Sequence, residues 1–141
     1  MAKASEKAKC FTAFAEFIRL RDSDPNNMAE CISCGKSVPY PNGNGDLNCG
    51  HYYPRSVVYA KLYFSEQNSH GQCVFCNLHL SGNVAEYRKG LIRRYGEEYV
   101  NELEDLKRMD TMTKLYDHDY KEMAKEYRKK SREIKKQRGI T

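Results

Sequence analysis

The sequence predicts a small α+β fold that is held together by a structural metal and flanked by helices. Two C-x-x-C pairs indicate the metal, short strand-like segments lie between them, and apolar residues at helical spacing mark both ends of the chain. A length of 141 residues suits one domain with some additional helix. Because a chain of this size buries a modest core, an internal metal would add substantially to its stability.

The first two helices are predicted from apolar spacing and from residues that favour helix ends. One covers residues from about 4 to 21, and the turn-forming residues 22–27 end it. The next begins near Asn83, where Glu86 predicts a reciprocal N-terminal cap, and it ends at Gly96.

Two further helices are predicted from 97 to about 108 and from about 112 to 137. The last has a sparse apolar seam with the spacing of a short coiled coil. Packing on its own domain or projection into solvent is favoured, and dimerisation through the seam is the alternative. The seam consists of Tyr116, Tyr120, Met123, Tyr127 and Ile134.

The strand-like segments lie between the two cysteine pairs. Residues 31–40 resemble a cysteine turn followed by a short strand, and 47–53 resemble a returning strand after the turn-rich 41–46. These predict a β-hairpin with a long loop. Residues 61–64 form a weak strand signal, and 65–71 are predicted to be a polar loop.

Positive charge is concentrated near the C-terminal end. The net charge is +5, while residues 121–138 contain nine Lys/Arg and three Glu. This segment suits contact with DNA phosphates without base specificity, and a solvated helix face is an equally weighted alternative. The predicted DNA-binding residues are Lys125, Arg128, Lys129, Lys130 and Arg132.

The predicted regions are an N-terminal helix and linker (1–27), a metal-stapled core with its following helices (28–110) and a basic C-terminal helix (111–141). No secretory signal follows the basic first residues, and no stretch reaches the length of a membrane span. We therefore expect an intracellular protein, in which cysteines serve first as metal ligands.

The two C-x-x-C pairs are Cys31 with Cys34 and Cys73 with Cys76. Each turn brings two thiolates together, and two such turns complete the closed four-sulfur shell that is typical of structural zinc. A redox role is the alternative, but the presence of two pairs and the lack of a βαβ pattern argue against it. A closed shell has no open position for a substrate, so this Zn²⁺ is predicted to be structural.

The other two cysteines are predicted to be buried. Cys10 lies on the first helix as a small apolar residue. Cys49 is favoured as a core residue because the paired cysteines already fill the shell, and a fifth ligand is the alternative.

Three polar residues follow an order that resembles the HNH, or ββα-metal, nucleases. His51 stands on the predicted strand, Asn68 in the polar loop and Asn77 directly after the last paired cysteine. In such sites the histidine activates a water, the loop asparagine holds the backbone of the histidine, and the last residue helps to bind a catalytic Mg²⁺ or Mn²⁺. Taken alone, a histidine on a strand is usually structural, and an asparagine in a loop usually forms part of a turn. The joint arrangement of these residues around the two C-x-x-C pairs favours a nuclease with a ββα-metal core.

Longer strings resemble the phage NinG (Rap) family. They are F-I-R-L-R-D, G-H-Y-Y-P-R, N-S-H-G-Q-C-V-F-C-N and S-G-N-V-A-E-Y-R, and the likeness covers residues from about 14 to 106. The resemblance implies a phage recombination endonuclease that cuts branched DNA, such as Holliday junctions and D-loops, in the cytoplasm of the bacterial host. It also implies other phage recombination proteins as partners.

The resemblance assigns roles by position. His51 matches the catalytic strand histidine, and Asn77 matches the helix metal ligand. Asn68 and His70 match the N-x-H loop of the family, with His70 as a second candidate ligand of the catalytic metal. Arg55 matches the arginine that follows G-H-Y and is expected to meet the scissile phosphate.

One position departs from the broad HNH pattern. Many such sites carry an acidic metal ligand immediately before the strand histidine, and here that position is Gly50. The second ligand is left open among His51, Asp46, His70 and His79. If His51 binds the metal, another group must act as the base.

Two symmetric cuts would benefit from a C2 homodimer, formed through the tyrosine seam or the first helix. The main rival to the nuclease is a non-catalytic zinc module that binds DNA. A second rival is a protein-interaction adaptor without affinity for DNA.

Overall fold

The computed structural model describes residues 3–140 and is a mixed α+β fold with two small sheets. Helix α1 (Glu6–Asp22) begins after Ser5, whose hydroxyl accepts a hydrogen bond from the backbone N–H of Ala8 at 3.1 Å. The long helix α5 (Asp117–Arg138) starts somewhat later than predicted and packs along α1. The ring of Phe14 meets that of Tyr127 edge to face, with 5.0 Å between the centroids.

The strands pair differently from the sequence prediction. Strand β1 (Met28–Glu30) pairs antiparallel with β2 (Ser37–Pro39), and β3 (Leu47–His51) pairs antiparallel with β4 (Ser69–Cys73). The predicted hairpin between 31–40 and 47–53 is therefore wrong. The first cysteine turn closes its own small hairpin, and the partner of β3 is the strand that ends in the second cysteine pair.

Two further local predictions are wrong. The weak strand signal at 61–64 belongs to a short helix, α2 (Ala60–Tyr63). The segment predicted to be a polar loop contains a 3₁₀ turn, Glu66–Asn68, and most of β4, whose residues are all buried. Its polar side chains predicted a loop, whereas several of them bond to groups inside the protein.

Helices α3 (Val84–Tyr95) and α4 (Glu97–Met109) follow the second cysteine pair. Asn83 precedes α3 as predicted, but the reciprocal cap is not formed, because Asn83 has a left-handed backbone and its Nδ2 donates to Cys76 Sγ at 3.5 Å. Helix α3 approaches the first cysteine turn so closely that a Cβ at Gly90 would collide with the carbonyl oxygen of Ile32.

A half-buried ion pair at the end of α1 bonds to the segment 66–71, which leads into β4. Arg21 Nε lies 2.8 Å from Asp22 Oδ1, and Asp22 Oδ2 accepts the backbone N–H of Gly71 at 2.7 Å. Arg21 also donates to the carbonyl oxygens of Glu66 and Ser69 at 2.9 and 2.7 Å. The F-I-R-L-R-D string thus ends in the contacts that hold β4 in place.

The core has three apolar clusters. The largest joins α1 and α5 with Cys49 and Phe64, the second surrounds the paired cysteines, and the third lies under α3 and α4. Cys10 and Cys49 are buried, as predicted, and burial raises their pKa values to about 11 and about 12. Among residues 3–140, no helix combines the length and the apolar character that a membrane crossing requires.

Candidate functional site

The four paired cysteines form a cluster that could hold a zinc ion. The Sγ atoms of Cys31, Cys34, Cys73 and Cys76 all lie within 4.8 Å of one another. The Cys34 and Cys73 sulfurs are 3.8 Å apart, and tetrahedral Zn–S bonds of about 2.3 Å require S–S edges of about 3.8 Å. The donor set and its spacing therefore fit zinc.

Each C-x-x-C turn orients its own first sulfur. The backbone N–H of Cys34 points to Cys31 Sγ at 3.5 Å, and that of Cys76 points to Cys73 Sγ at 3.4 Å. Gly35 closes the first turn with a left-handed φ of +77°. Such N–H···S contacts stabilise thiolates, as a metal site with four sulfurs requires.

A cleft of about 220 Å³ brings three of the predicted site residues together. His51 comes from the end of β3, Arg55 from the 3₁₀ turn Arg55–Val57, and Asn77 from the π-helical turn Phe75–His79. The rest of the lining consists of Pro54, Tyr63, Ser81, Gly82 and Val84.

The imidazole of His51 is stacked on a tyrosine ring and is uncharged at neutral pH. It stacks on the ring of Tyr63, with 4.0 Å between centroids and 4° between planes. Its Nε2 is buried and makes no hydrogen bond within the described residues. Burial lowers the pKa of His51 to about 4; a backbone hydrogen bond with Tyr63 opposes this and the charge of Arg55 adds to it. At neutral pH the ring is therefore uncharged and has a nitrogen lone pair to accept a proton.

Arg55 supplies the positive charge of the cleft. Its guanidinium carbon lies over the Tyr63 ring, 5.0 Å from the ring centroid, and the side chain is exposed. Within residues 3–140 it forms no ion pair with an acidic side chain. Among the described residues, no carboxylate lines the cleft, so its electrostatics suit an anion such as a phosphate.

Asn68 does not line the cleft but supports the segment that carries His51. Its Oδ1 accepts the backbone N–H of Tyr53 at 2.8 Å, and its Nδ2 donates to the Tyr53 carbonyl at 3.0 Å. The carbonyl of Asn68 also accepts the N–H of Tyr52 at 2.9 Å. Asn68 thus bonds to the backbone just after His51, where the resemblance to HNH sites predicts a supporting asparagine.

Sequence reasoning overlooked Asn48. It lies on β3, and its Oδ1 accepts a hydrogen bond from Asn77 Nδ2 at 3.0 Å. A single asparagine in a short strand gives no signal of its own. Only the pairing of β3 with β4 brings it to the turn that follows the last paired cysteine.

His70 is not brought to Asn77. It is 1% exposed on β4, opposite Gly50, and its ring nitrogens lie 3.0 Å from the hydroxyl of Tyr87 and 3.3 Å from that of Tyr99. Neighbouring residues of a strand point to opposite faces, so a residue paired with Gly50 faces away from the His51 side. Burial, reinforced by the charge of Arg21, lowers the pKa of His70 to about 3.

The other two candidate ligands do not line the cleft either. Asp46 is exposed in the turn before β3, and His79 is exposed with its ring 5.7 Å from that of Phe75. Among the described residues, the four cysteines are the one group of three or more His, Cys, Asp or Glu side chains that could hold a metal.

Gly50 cannot be replaced by the acidic residue of the broad HNH pattern without a rearrangement. A Cβ at this position would lie 2.8 Å from Gln72 Cβ and closer still to the Gln72 amide. Gln72 is fully buried, and its Nε2 donates to Ser33 Oγ at 2.9 Å and to the Gly82 carbonyl at 2.6 Å. The glycine is thus required by the packing of Gln72 beneath it.

The predicted DNA-binding residues differ in their surroundings. Lys130 pairs with Glu66 at 3.2 Å and lies near the rings of Phe17 and Tyr127. The others are exposed; they are Lys125, Arg128, Lys129 and Arg132. The seam residues Tyr120 and Tyr127 are buried in the α1–α5 cluster, so they do not form a free surface for a dimer.

The chain is similar to known phage proteins. A family model described as Bacteriophage Lambda NinG protein matches residues 3–137. The protein ninG of Escherichia phage lambda is 43% identical over 88 residues, which cover 62% of this chain and 38% of that protein. The protein ninG of Escherichia phage 933W has the same identity, with 39% of its length covered.

The protein ninG of Salmonella phage P22 is 37% identical over 124 residues, which cover 87% of this chain and 54% of that protein. The chain therefore spans between 38% and 54% of the length of these relatives. No solved structure matches it.

Proposed function

The chain belongs to the phage NinG family, and on this premise we propose that it is a divalent-metal-dependent endonuclease that cuts branched DNA. The observation that carries the proposal is the meeting of His51, Arg55 and Asn77 in one carboxylate-free cleft. Its substrates are expected to be recombination intermediates such as Holliday junctions and D-loops.

His51 is the proposed general base. Its neutral imidazole is fixed by the Tyr63 stack, and its Nε2 has no competing hydrogen bond within the described residues. A base must have a free lone pair and must be unprotonated at the working pH. A pKa of about 4 satisfies the second condition across the neutral range.

Arg55 is proposed to bind the phosphate. A guanidinium that has no carboxylate partner can donate to phosphate oxygens, and it stabilises the charge that develops on them during attack. Because Arg55 and His51 line the same cleft, the phosphate and the activated water would lie beside each other.

Asn77 is proposed to contribute its Oδ1 to a Mg²⁺ or Mn²⁺ ion. An amide oxygen suits a hard cation, and a cation bound there would supply positive charge to the phosphate and the leaving oxygen. The cleft provides few protein ligands, so water and the phosphate oxygens of the DNA are expected to complete the coordination shell. A zinc ion held by Cys31, Cys34, Cys73 and Cys76 would have a structural role, because four sulfur ligands leave no open position for a substrate.

The lack of a carboxylate in the cleft favours one alternative, a zinc-stabilised module that binds DNA without cutting it. In that case Arg55 and the exposed cations of α5 would hold the phosphate backbone, and His51 would serve only in packing. The two functions make different predictions for the same assay.

The test is cleavage of a labelled four-way junction, with linear duplex of the same sequence as control, in Mg²⁺, in Mn²⁺ and with neither. The zinc-loaded protein is expected to cut the junction only when the divalent metal is added. Firm binding of the junction without cutting would favour the non-catalytic module. If the protein neither cuts nor binds the junction, both the nuclease and the DNA-binding module are overturned, and an adaptor is favoured.

A further inference from the structure

We propose that exposed apolar side chains at the edge of the His51 cleft contact a DNA base beside the branch point, with the ring of Phe75 stacked on that base. This surface, the apolar rim, consists of Phe75, Leu78, Leu80 and Val84. The inference rests on the proposed function, because it takes branched DNA as the partner. It names the part of the protein that distinguishes a branch from continuous duplex.

The side chains of the apolar rim are exposed and lie close together in the chain. Phe75 is 60% exposed, Leu78 64%, Leu80 44% and Val84 46%. None of them belongs to the three apolar clusters of the described core. Single exposed apolar side chains are common on protein surfaces, but a group of them is typical of a binding surface.

The apolar rim is continuous with the cleft that contains His51. Val84 belongs to the rim and also lines the cleft. Asn77 and Ser81 line the cleft as well, and they alternate with the rim residues along the chain. A ligand that extends from the cleft to its edge therefore meets the rim.

The charges around the rim favour a nucleotide as its partner. The segment 74–85 contains no Asp, Glu, Lys or Arg. The cleft beside it contains the guanidinium of Arg55 and, among the described residues, no carboxylate. A cation next to an exposed aromatic ring matches a nucleotide, because the phosphate is negative and the base has an uncharged face on which a ring can stack.

The ring of Phe75 projects from a backbone that is held in place. The next residue, Cys76, belongs to the zinc-binding cluster, and its N–H points to Cys73 Sγ at 3.4 Å. The carbonyl oxygen of Phe75 accepts the N–H of Leu80 at 2.9 Å. Within residues 3–140, the one ring close to that of Phe75 is the exposed His79, with 5.7 Å between centroids. A base that stacks here orders little of the protein, which favours binding.

Branched DNA offers a base to this ring more readily than continuous duplex does. In a duplex each base is stacked on both faces, and exposing it costs free energy. At a branch point the stack is interrupted, so the cost is lower. Side chains such as Phe and Leu enter unstacked base steps in other DNA complexes. Phe75 is therefore expected to raise the affinity for junctions more than the affinity for linear DNA.

The experiment measures the affinity of the full zinc-loaded chain for a four-way junction and for a linear duplex, with no Mg²⁺ or Mn²⁺ added. Phe75→Ala is expected to weaken junction binding about 5- to 150-fold, the range for losing one base stacked on an aromatic side chain, and to change duplex binding by less than about 2-fold. Phe75→Trp should bind the junction as the wild type does. Phe75→Leu, which keeps apolar surface but has no ring, should not.

The matched control is Met109→Ala, which truncates a side chain that is 67% exposed and does not line the cleft. Its affinity for both DNAs should equal that of the wild type. All these variants should retain zinc and the wild-type Tm, because each altered side chain is exposed. Equal junction affinity of Phe75→Ala and Met109→Ala would overturn the inference.

The stacked base can be identified by removing it. Each nucleotide next to the branch point is replaced in turn by an abasic site, and the wild type should lose affinity at one or more of these positions. At such a position Phe75→Ala should lose little further affinity, because the stacked pair is already broken. Losses from the protein and DNA changes that simply add at every position would contradict a base stacked on Phe75.

The outcomes separate this inference from the proposed function. If the wild type cuts junctions but Phe75→Ala binds them equally well, the inference fails and the proposed function stands. If Phe75 is required for tight junction binding but the wild type never cuts, the nuclease fails and the inference holds for a DNA-binding module. A wild type that binds neither DNA overturns both. If Phe75→Ala turns a dimer into a monomer and leaves DNA binding unchanged, the rim is a contact between copies and the inference is overturned.

Discussion

The side chain of Asn68 makes two hydrogen bonds with the backbone of Tyr53. Its Oδ1 accepts a hydrogen bond from the Tyr53 N–H at 2.8 Å, and its Nδ2 donates one to the Tyr53 carbonyl oxygen at 3.0 Å. This pair of bonds fixes the chain two residues after His51, where β3 has ended. Asn68 is fully buried, so neither backbone group can turn to water if the side chain is removed.

We therefore expect Asn68→Ala to be strongly destabilising. Leaving the N–H and C=O of Tyr53 without partners should lower the free energy of unfolding by about 2–4 kcal/mol. Urea denaturation measures this, with Asn44→Ala as the exposed control. A loss no greater than that of the control would contradict the supporting role of Asn68.

Removal of one paired cysteine should abolish metal binding. Cys34→Ser is expected to lose the zinc and to unfold at a much lower temperature, because the ion joins the β1–β2 turn to the end of β4. Elemental analysis should give one zinc per wild-type chain. Cys10→Ala, which alters a buried cysteine outside the cluster, should retain that zinc; a variant at Cys34 that also retains it would argue against the four-sulfur site.

Stability should fall as the pH drops below about 6.5. His51 and His70 have pKa values lowered to about 4 and about 3 by burial, so between these values and 6.5 the unfolded chain binds protons that the folded chain does not. The stability that the two neutral histidines contribute is complete above pH 6.5. Near pH 5, each histidine changes the free energy of unfolding by up to about 1.4 kcal/mol per pH unit.

Urea midpoints at several pH values measure the slope. His70→Gln should reduce the slope between pH 6.5 and 5, although it lowers stability at pH 7. An unchanged slope would mean that His70 titrates normally in the folded protein.

Asp22 affects stability at a lower pH than the histidines. Its pKa is depressed because Arg21 outweighs the effect of burial, so the stability that its carboxylate contributes is lost only as the pH falls below the ordinary carboxyl range.

The lysines of α5 should contribute unequally to DNA binding. Replacing exposed Lys125 and Lys129 together by Gln is expected to weaken binding to all sequences and to reduce the salt slope by about 2. Lys130→Gln should change the slope less, because its ammonium already pairs with Glu66. Equal effects of Lys129→Gln and Lys130→Gln would show that DNA displaces this ion pair.

Local signals in the sequence predicted the four long helices and the cysteine cluster, but not the short helix α2. The C-x-x-C spacing needs only a tight turn, and apolar periodicity is a property of one helix, so neither depends on distant parts of the chain. Residues 6–22 and 97–109 are helical close to the predicted bounds. The burial of Cys49 could also be predicted, since four thiolates already complete a zinc shell.

Strand pairing could not be predicted in the same way. The register between β3 and β4 depends on contacts far apart in the chain, including the bonds from Arg21 and Asp22 to the Glu66–Gly71 segment. Polar residues such as Asn68 and His70 predicted a loop because their internal partners cannot be read from sequence. For the same reason no local signal indicates that Asn48 contacts Asn77.

We propose that His51 in this cleft acts as the base in DNA cleavage, and single-turnover cutting of a labelled four-way junction tests this role most directly. His51→Ala should lower the rate at least about 100-fold, in keeping with the contribution of a general base. The exposed His118→Ala should cut at the wild-type rate, and both variants should retain zinc and a folded structure. Cutting by His51→Ala at the rate of His118→Ala would contradict the account.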